Sequence, residues 1–350
     1  MSGESGAFEV LAEPWVRWCR FAEETFLRRR PEPAWHTPSR VLVEDAAHRL
    51  RDFGGARGAG GPPLLVVPPE VNHSAIVDFG PRQSLVRAAL EAGFPRVAAV
   101  EWKSAAAETA NRDVDDSIET IQAAIRALGG RAHLVGLCQG GWESAIAAAL
   151  DPSAVATLTL VAAPIDFHAG RGALRRVVQF TPLPVYEALV RAGGGVMRGE
   201  FLVTGFDNLL PFERYLLKPL AVWNRLDDEP WLARFRRLED WYRWPKDLPG
   251  VQYLRVVREL FRQNRLVAGT FEVRGRRVDL GRLAMPLALV AGTKDHITPA
   301  EQLFALRDHA RAERVLSVEI PAGHIGTFMG TEALRDHWPG VFRWLREQEG

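Results

Sequence analysis

The sequence predicts an α/β fold built on a mostly parallel, doubly wound sheet with a helical insertion. From residue 64 to residue 163, short apolar runs alternate with helical segments, a rhythm typical of parallel strands joined by helices. A Gly-x-Cys-x-Gly sequence at residues 136–140 joins an apolar run to a helix of small residues. The alternation stops at residue 166 and returns at residue 286. Right-handed crossovers place the carboxyl ends of such strands at one edge of the sheet, where ligands bind.

Composition excludes several classes of protein. The chain has 350 residues, is 47% hydrophobic and has a formal net charge of +1, which allows a sizeable core and gives no basic stripe for nucleic acid. Its two cysteines, Cys19 and Cys138, cannot form a disulfide framework, and no paired Cys/His spacing predicts a metal site. The sequence has neither a signal-peptide pattern nor an apolar run of roughly 18 residues that could span a membrane. We therefore expect a cytoplasmic protein with free thiols, no metal and no nucleic-acid partner.

Residues 1–60 are predicted to form an N-terminal helix and an edge strand packed on the core. Residues 7–30 have an amphipathic helical pattern, and residues 41–44 have the character of a strand. Docking of the apolar stripe on the core is favoured over a partner-binding helix, because most such stripes are buried. The stripe consists of Phe8, Leu11, Trp15, Trp18, Phe21, Phe26 and Leu27.

The α/β core is predicted at residues 61–165 and 281–350. Its strands are short apolar runs, and its helices have apolar residues at helical spacing. The predicted strands are residues 64–67, 97–100, 132–137, 155–161, 286–291 and 315–320, and the predicted helices are residues 81–92, 113–128 and 142–150.

Residues 166–280 are predicted to form a helical cap. The segment is rich in Arg, Leu, Trp and Pro, and its helical pieces interrupt the strand pattern. An insertion between late strands starts at the carboxyl edge of the sheet. We therefore expect the cap to roof the reacting groups and to shape a substrate channel.

Residues 136–141, Gly-Leu-Cys-Gln-Gly-Gly, have the pattern of a nucleophile elbow. In the α/β-hydrolase fold, a strand leads into a sharp turn that carries the nucleophile, and a helix follows. The glycines let neighbouring backbone pass close by without a Cβ clash. Cys138 occupies the nucleophile position here. A lone cysteine in an apolar setting is usually a packed core thiol, but the flanking glycines favour a catalytic role.

A cysteine nucleophile needs a base, and the base needs a group that orients it. In α/β hydrolases the chain order is nucleophile, acid, histidine, with the last two on loops after late strands. Asp295 follows the predicted strand 286–291, and His324 follows the predicted strand 315–320. Order and placement both match, so Cys138, Asp295 and His324 are predicted to form the catalytic triad.

Two backbone N–H groups are expected to stabilise the oxyanion. Gln139 follows the nucleophile and is the first expected donor. The second donor is expected in the loop after the first central strand, residues 68–73. Because the two prolines that open this loop have no N–H, the prediction falls on Val71 or Asn72.

Three further side chains are assigned to the substrate pocket. His73 lies in the oxyanion loop, and it either lines the pocket or is simply exposed, as loop residues usually are. Trp142 follows the elbow and either narrows the acyl channel or packs under the cap. Packing is favoured, because buried tryptophan is normally structural. His296 adjoins Asp295 and is expected to point away from His324.

Together these motifs make the chain resemble the polyhydroxyalkanoate synthases, and its length is closest to that of their class III catalytic subunit. The resemblance runs from about Thr37 to the C-terminus. Its most specific segments are the Cys-Gln-Gly-Gly elbow, Pro-Ile-Asp-Phe at residues 164–167, Asp-His-Ile at residues 295–297 and Gly-His-Ile-Gly at residues 323–326. The chain departs from the family pattern at residues 101–104, at residues 73–75 and at Trp142.

The resemblance implies a cysteine acyltransferase of the α/β-hydrolase fold that uses 3-hydroxyacyl-CoA. Carried over by position, Cys138 is the nucleophile, His324 the general base and Asp295 its partner. Coenzyme A is then part of the substrate, and no bound cofactor is expected. The family also implies an activating subunit or a homodimer as partner and association with polymer granules.

Two other functions stay open on sequence alone. One is hydrolysis by a thioesterase or an intracellular polyester depolymerase, with water in place of the hydroxyl acceptor. The other is a non-enzymatic protein that binds granules or partners, which the complete set of Cys138, Asp295 and His324 argues against. Water access at Cys138 distinguishes acyl transfer from hydrolysis.

Overall fold

The computed structural model describes residues 4–55 and 60–349, with side chains described from residue 13 to residue 348 of these ranges. A central eight-stranded sheet runs through it, in the spatial order β1-β2-β4-β3-β5-β6-β7-β8. In chain order the strands are β1 Arg40–Glu44, β2 His48–Asp52, β3 Leu64–Val67, β4 Val97–Trp102, β5 Ala132–Leu137, β6 Val155–Val161, β7 Leu287–Gly292 and β8 Val315–Ile320.

The sheet is antiparallel at one edge and parallel elsewhere. β2 pairs antiparallel with both β1 and β4, and the pairs from β4 to β8 are parallel. In register, Val66 of β3 lies opposite Val135 of β5, which lies opposite Thr159 of β6. These three strands are buried along their whole length, as expected for strands covered on both faces. The structure confirms the predicted mostly parallel α/β fold.

Helices occupy the connections between the strands and most of the long segment between β6 and β7. The described residues include no helix with the length and apolar character that crossing a bilayer requires. The α-helices are α1 Glu4–Ala22, α2 Leu85–Glu91, α3 Val114–Ala127, α4 Gln139–Leu150, α5 Ala173–Phe180, α6 Leu183–Ala192, α7 Gly199–Asp207, α8 Lys218–Asn224, α9 Glu229–Tyr242, α10 Gly250–Arg255, α11 Ala300–Phe304, α12 Gly326–Met329 and α13 Trp338–Arg346.

Shorter elements complete the described chain. Single turns of π-helix extend or interrupt several helices, and short strands pair outside the central sheet. The π-helical turns are Glu23–Leu27, Glu213–Leu217, Val256–Arg262 and Ala333–His337, and the short strand pairs are Asp78–Gly80 with Gln83–Ser84, Val196–Met197 with Leu248–Pro249, and Glu272–Val273 with Arg276–Arg277. The 3-10 turns are Ser74–Val77, Ala107–Thr109, Pro152–Ala154, Leu280–Arg282, Ala305–Asp308 and Glu347–Glu349.

The strand β2 lies outside the predicted elements. Its sequence, His-Arg-Leu-Arg-Asp, contains a single aliphatic residue and does not form an apolar run. Burial nevertheless alternates along it, with His48, Leu50 and Asp52 buried and the two arginines half-exposed. Alternation with a period of two is the sequence signal for such a half-buried strand.

Two compact units divide the chain. The first comprises Met1–Pro33 and Leu202–Pro245, and the second comprises Ala34–Phe201 and Lys246–Gly350. These boundaries differ from the predicted division into residues 1–60, a core and a cap at residues 166–280. Residues 246–280, predicted as part of the cap, belong to the second unit because they contribute to its hydrophobic core. Leu260, Leu266 and Phe271 lie in the same hydrophobic cluster as the strands of the sheet.

The first unit contains the N-terminal amphipathic helix, and its apolar stripe is less buried than expected. Phe21 packs with Val222, Leu226 and Leu232 of the same unit. Trp15 is 67% exposed, and Trp18, Phe26 and Leu27 are also exposed, so the expected docking of the whole stripe on the core is wrong for these residues. The side chains of Phe8 and Leu11 lie outside the described residues.

Candidate active site

Cys138 lies on the sharp turn between β5 and α4. Its backbone has φ +52° and ψ −117°, a conformation that costs a residue other than glycine about 1–3 kcal/mol. The Cys138 N–H donates to the carbonyl of Val161 at 2.9 Å, and the Gly141 N–H donates to the Cys138 carbonyl at 3.0 Å. The turn therefore holds a half-buried thiol at the carboxyl edge of the sheet.

Gly140 allows the elbow to approach the end of β3. A Cβ placed on Gly140 would lie 2.2 Å from the carbonyl oxygen of Val67 and 2.9 Å from that of Pro68. Gly136 is equally confined, since its Cβ would lie 2.5 Å from the carbonyl oxygen of Gly140. Both contacts involve backbone atoms, which no side-chain rotation can move away. The glycines of the elbow therefore bring the loop after β3 next to the turn that carries Cys138.

Replacing Gly140 with alanine is expected to destabilise the protein by about 1–3 kcal/mol, as overpacking generally does. Gly340→Ala is the matched control, because a Cβ at Gly340 meets nothing within 4 Å and alanine favours a helix by up to about 1 kcal/mol. Urea unfolding of both variants measures the difference. An unchanged free energy of unfolding for Gly140→Ala would contradict the close approach of β3 to the elbow.

Asp295 and His324 meet at the ends of β7 and β8. The Asp295 carboxylate is fixed from two sides: its Oδ1 accepts from the N–H groups of Ile297 and Thr298, each at 2.9 Å. Its Oδ2 lies 2.7 Å from Nδ1 of His324. Because a carboxylate can only accept, Nδ1 carries the hydrogen. This arrangement orients the ring of His324 and leaves Nε2 for another partner.

His324 also interacts with Cys138. Burial by itself lowers the pKa of His324, but the negative charges of Asp295 and Cys138, together with hydrogen bonds to both, raise it well above its usual range. Asp295 and Cys138 thus favour the protonated form of the His324 ring. The structure brings the three predicted triad residues together, in the chain order that the elbow pattern predicts.

The candidate oxyanion donors lie on both sides of the elbow. Gln139 is the first residue of α4, where backbone N–H groups have no partner within the helix. Val71 is held by its carbonyl, which accepts from the N–H of Lys246 at 3.0 Å. Both loop residues predicted, Val71 and Asn72, lie between β3 and the 3-10 turn Ser74–Val77.

The three side chains assigned to the pocket have different environments. His73 is buried, so simple exposure is wrong for it; its Nδ1 accepts from the Ala75 N–H at 3.2 Å. Burial and the positive charge of Lys246 lower the pKa of His73 to about 4. Trp142 is 2% exposed and belongs to the main hydrophobic cluster, as the packing alternative requires. His296 is exposed on the loop after β7.

Two buried glutamates near Cys138 are absent from the sequence-based assignment. Glu143 lies on α4 and Glu70 on the loop after β3, and both side chains are buried. The sequence contains a signal for the first, because α4 is otherwise composed of small and apolar residues after its first turn. In the part of the chain that the structure describes, no group of three or more His, Cys, Asp or Glu side chains is arranged to hold a metal ion.

Comparison with known proteins connects this site to a family. Residues 56–326 match the family model described as "Protein of unknown function (DUF3141)". The chain is 30% identical to the poly(3-hydroxyalkanoate) polymerase subunit PhaC of Haloferax mediterranei, over 89% of this chain and 64% of that protein. It is 26% identical to the subunit of the same name from Allochromatium vinosum, over 84% of this chain and 83% of that protein. The chain thus spans less than two thirds of the Haloferax relative.

Solved structures share the fold at low sequence identity. A monoacylglycerol lipase from Paleococcus ferrophilus matches with a TM-score of 0.55 and 17% identity, over 85% of this chain and 98% of the lipase. At this level of identity, the likeness concerns architecture alone. It identifies the fold of this chain as that of the α/β hydrolases.

Proposed function

The chain belongs to the DUF3141 family and is a polyhydroxyalkanoate synthase-like protein of the α/β-hydrolase fold, and we propose that it is a cysteine-dependent acyltransferase. In this proposal it forms an acyl thioester on Cys138 from a 3-hydroxyacyl-CoA and passes the acyl group to a hydroxyl. The observation that carries the proposal is the contact of His324 with both Asp295 and Cys138. The name of the Haloferax and Allochromatium relatives, poly(3-hydroxyalkanoate) polymerase, supports the hydroxyacyl substrate.

In the first half-reaction, the thiolate of Cys138 attacks the carbonyl carbon of the acyl-CoA thioester. The bond between this carbon and the CoA sulfur breaks, and the CoA thiolate takes the proton that His324 Nε2 holds. The products are the acyl-Cys138 thioester, free CoA and neutral His324. A thioester is exchanged for a thioester, so the two sides are close in energy and the step is reversible.

In the second half-reaction, the hydroxyl of another hydroxyacyl unit attacks the acyl-Cys138 carbonyl. Neutral His324 takes the hydroxyl proton as general base, an ester bond forms, and Cys138 leaves as a thiolate. Asp295 holds the ring in one orientation throughout and stabilises the imidazolium at both ends of the cycle. Cys138 and His324 return to the thiolate and imidazolium with which the cycle began, and one acyl unit has been transferred.

Both tetrahedral intermediates place a negative charge on the former carbonyl oxygen. In the proposed mechanism the N–H group of Gln139 and that of Val71 or Asn72 stabilise this oxygen. The close approach of Gly140 to the end of β3 supports this pairing, because it sets the two donors on adjacent segments. Removing a single donor of this kind typically lowers kcat by about a hundredfold to a thousandfold.

The reaction of the purified protein with 3-hydroxybutyryl-CoA tests the proposal. We expect release of free CoA together with formation of oligomers or polymer of hydroxybutyrate. Thiol detection measures the CoA, and mass spectrometry identifies the acyl products. Release of CoA with free 3-hydroxybutyrate as the only acyl product would instead identify a thioesterase. That outcome would retain the acyl-Cys138 step and replace the hydroxyl acceptor with water.

A further inference from the structure

Glu143 and Glu70 form a cluster of buried carboxyl groups beside the elbow. Glu143 is 0% exposed, and its Oε1 accepts from Nε2 of Gln139 at 3.0 Å. Its Oε2 is buried without a hydrogen-bond partner among the described residues. Glu70 accepts from the hydroxyl of Ser117 and from the amide of Gln252, each at 2.8 Å.

The hydrogen bonds of both carboxyls come from uncharged groups. A buried carboxylate that lacks a charged hydrogen-bond partner is so costly that the group normally keeps its proton. Two neighbouring carboxyls in such surroundings also repel each other when both are ionised. Burial therefore already points to a neutral acid at one of these positions or at both, while the hydrogen bonds that the two carboxyls accept act in the opposite direction.

Negative charges nearby add to the effect of burial on these two carboxyls, and positive charges oppose it. Burial raises the pKa of Glu143 well above its usual range, and the negative charges of Glu70 and Cys138 raise it further. Burial likewise raises the pKa of Glu70. Arg112 and Lys246 oppose these effects through their positive charge. Their side chains donate to Thr120 and to the carbonyl of Trp102.

We propose that Glu143 and Glu70 form a buried carboxylic acid pair that keeps at least one proton at neutral pH, and that neutral Glu143 positions Gln139 beside Cys138 without opposing a thiolate. Glu143 lies one helical turn after Gln139 on α4, so its Oε1 can hold the Gln139 side chain in place. This positioning role rests on the proposed function, in which the Gln139 N–H stabilises the oxyanion. The protonation of the pair does not depend on it.

The pH dependence of stability tests whether the carboxyl pair keeps a proton at neutral pH. A carboxyl that stays protonated in the folded state while it ionises in the unfolded state destabilises the protein as the pH rises above the unfolded pKa of about 4.3. Glu143→Gln keeps the shape and removes this titration. Its melting temperature should therefore rise relative to wild type between pH 5 and pH 8, by about 2 °C or more.

Controls separate this effect from general stabilisation. Glu91→Gln, at an exposed position that pairs with Arg87, should show no pH-dependent difference in melting temperature. Glu70→Gln should behave as Glu143→Gln does, and it provides the same test if the Glu143 variant does not fold. A difference between Glu143→Gln and wild type that stays constant from pH 5 to pH 8, or that falls, would overturn the proposal.

Alkylation of Cys138 tests the second part of the proposal, that neutral Glu143 does not oppose a thiolate on Cys138. The rate of reaction with iodoacetamide is followed by peptide mass, which separates Cys138 from the exposed Cys19. Glu143→Gln should react at the same rate as wild type at pH 7, and it should become the faster of the two only at a higher pH, where Glu143 of the wild type ionises. A tenfold faster reaction of Glu143→Gln at pH 7 would overturn the proposal, because it would mean that Glu143 of the wild type is ionised at that pH and opposes the thiolate. Neither measurement uses acyl-CoA, so both remain informative if the proposed function is wrong.

Discussion

Replacing Cys138 with alanine is expected to abolish release of CoA from 3-hydroxybutyryl-CoA, with a fall of at least about a thousandfold in rate. The thiol is the only group at the elbow that can form the acyl thioester. Alanine retains the Cβ, so the backbone strain at φ +52° is unchanged. The fold should therefore survive, and a melting temperature within about 3 °C of wild type would verify this. The CoA-release assay then reports the loss of the nucleophile alone.

Cys19→Ala is the matched control for this experiment. Cys19 is exposed on α1, and its removal should leave CoA release unchanged. Cys138→Ser is a less stringent test than Cys138→Ala, because a hydroxyl can still act as a nucleophile, although a weaker one unless its base is well matched. Residual CoA release by Cys138→Ala at more than a few per cent of the wild-type rate would contradict the assignment of Cys138 and point to direct attack by another group.

The parts of the site that the sequence predicts are those determined by local pattern. Cys138 stands between glycines at the end of an apolar run, and Asp295 and His324 each follow a short apolar strand. Parallel strands put these three strand ends at one edge of the sheet, so three residues that are far apart in the sequence are expected to lie close together. The 2.7 Å contact of His324 with Asp295 fits this expectation.

The features that the sequence does not predict depend on distant contacts. Phe21 is buried because Val222, Leu226 and Leu232 pack against it, and an amphipathic stripe alone does not say which segment covers it. Glu70, on the loop after β3, interacts with Glu143 of α4, and the sequence alone does not indicate that these two residues meet. A charged residue in a helix of small and apolar residues is nevertheless a usable signal, because burying it is costly unless its protonation or its partners compensate.

Replacing Asp295 with asparagine is expected to lower the rate of CoA release by about a thousandfold to ten-thousandfold, while leaving Cys138 in place. The asparagine Oδ1 can still accept from the N–H groups of Ile297 and Thr298, which hold the Asp295 carboxylate. Its Nδ2 is a donor and cannot accept the hydrogen from Nδ1 of His324. The ring is then free to adopt the other tautomer or to turn away from the thiol, as happens when the orienting carboxylate of a triad is lost.

The same substitution removes a charge that raises the pKa of His324. Burial lowers the pKa of His324, and in this variant the charge of Asp295 no longer counteracts that effect. The pKa of His324 should therefore fall, and the ring should lose its proton at a lower pH than in wild type. An NMR titration of the His324 ring measures this directly, and the defect in Cys138 alkylation should grow as the pH rises through the lowered pKa. Asp336→Asn, which removes an exposed carboxylate paired with Arg335, is the matched control and should leave the titration unchanged. An unaltered His324 titration in Asp295→Asn would mean that the charge of Asp295 does not hold the proton on the ring, and the mechanism would lose its orienting group.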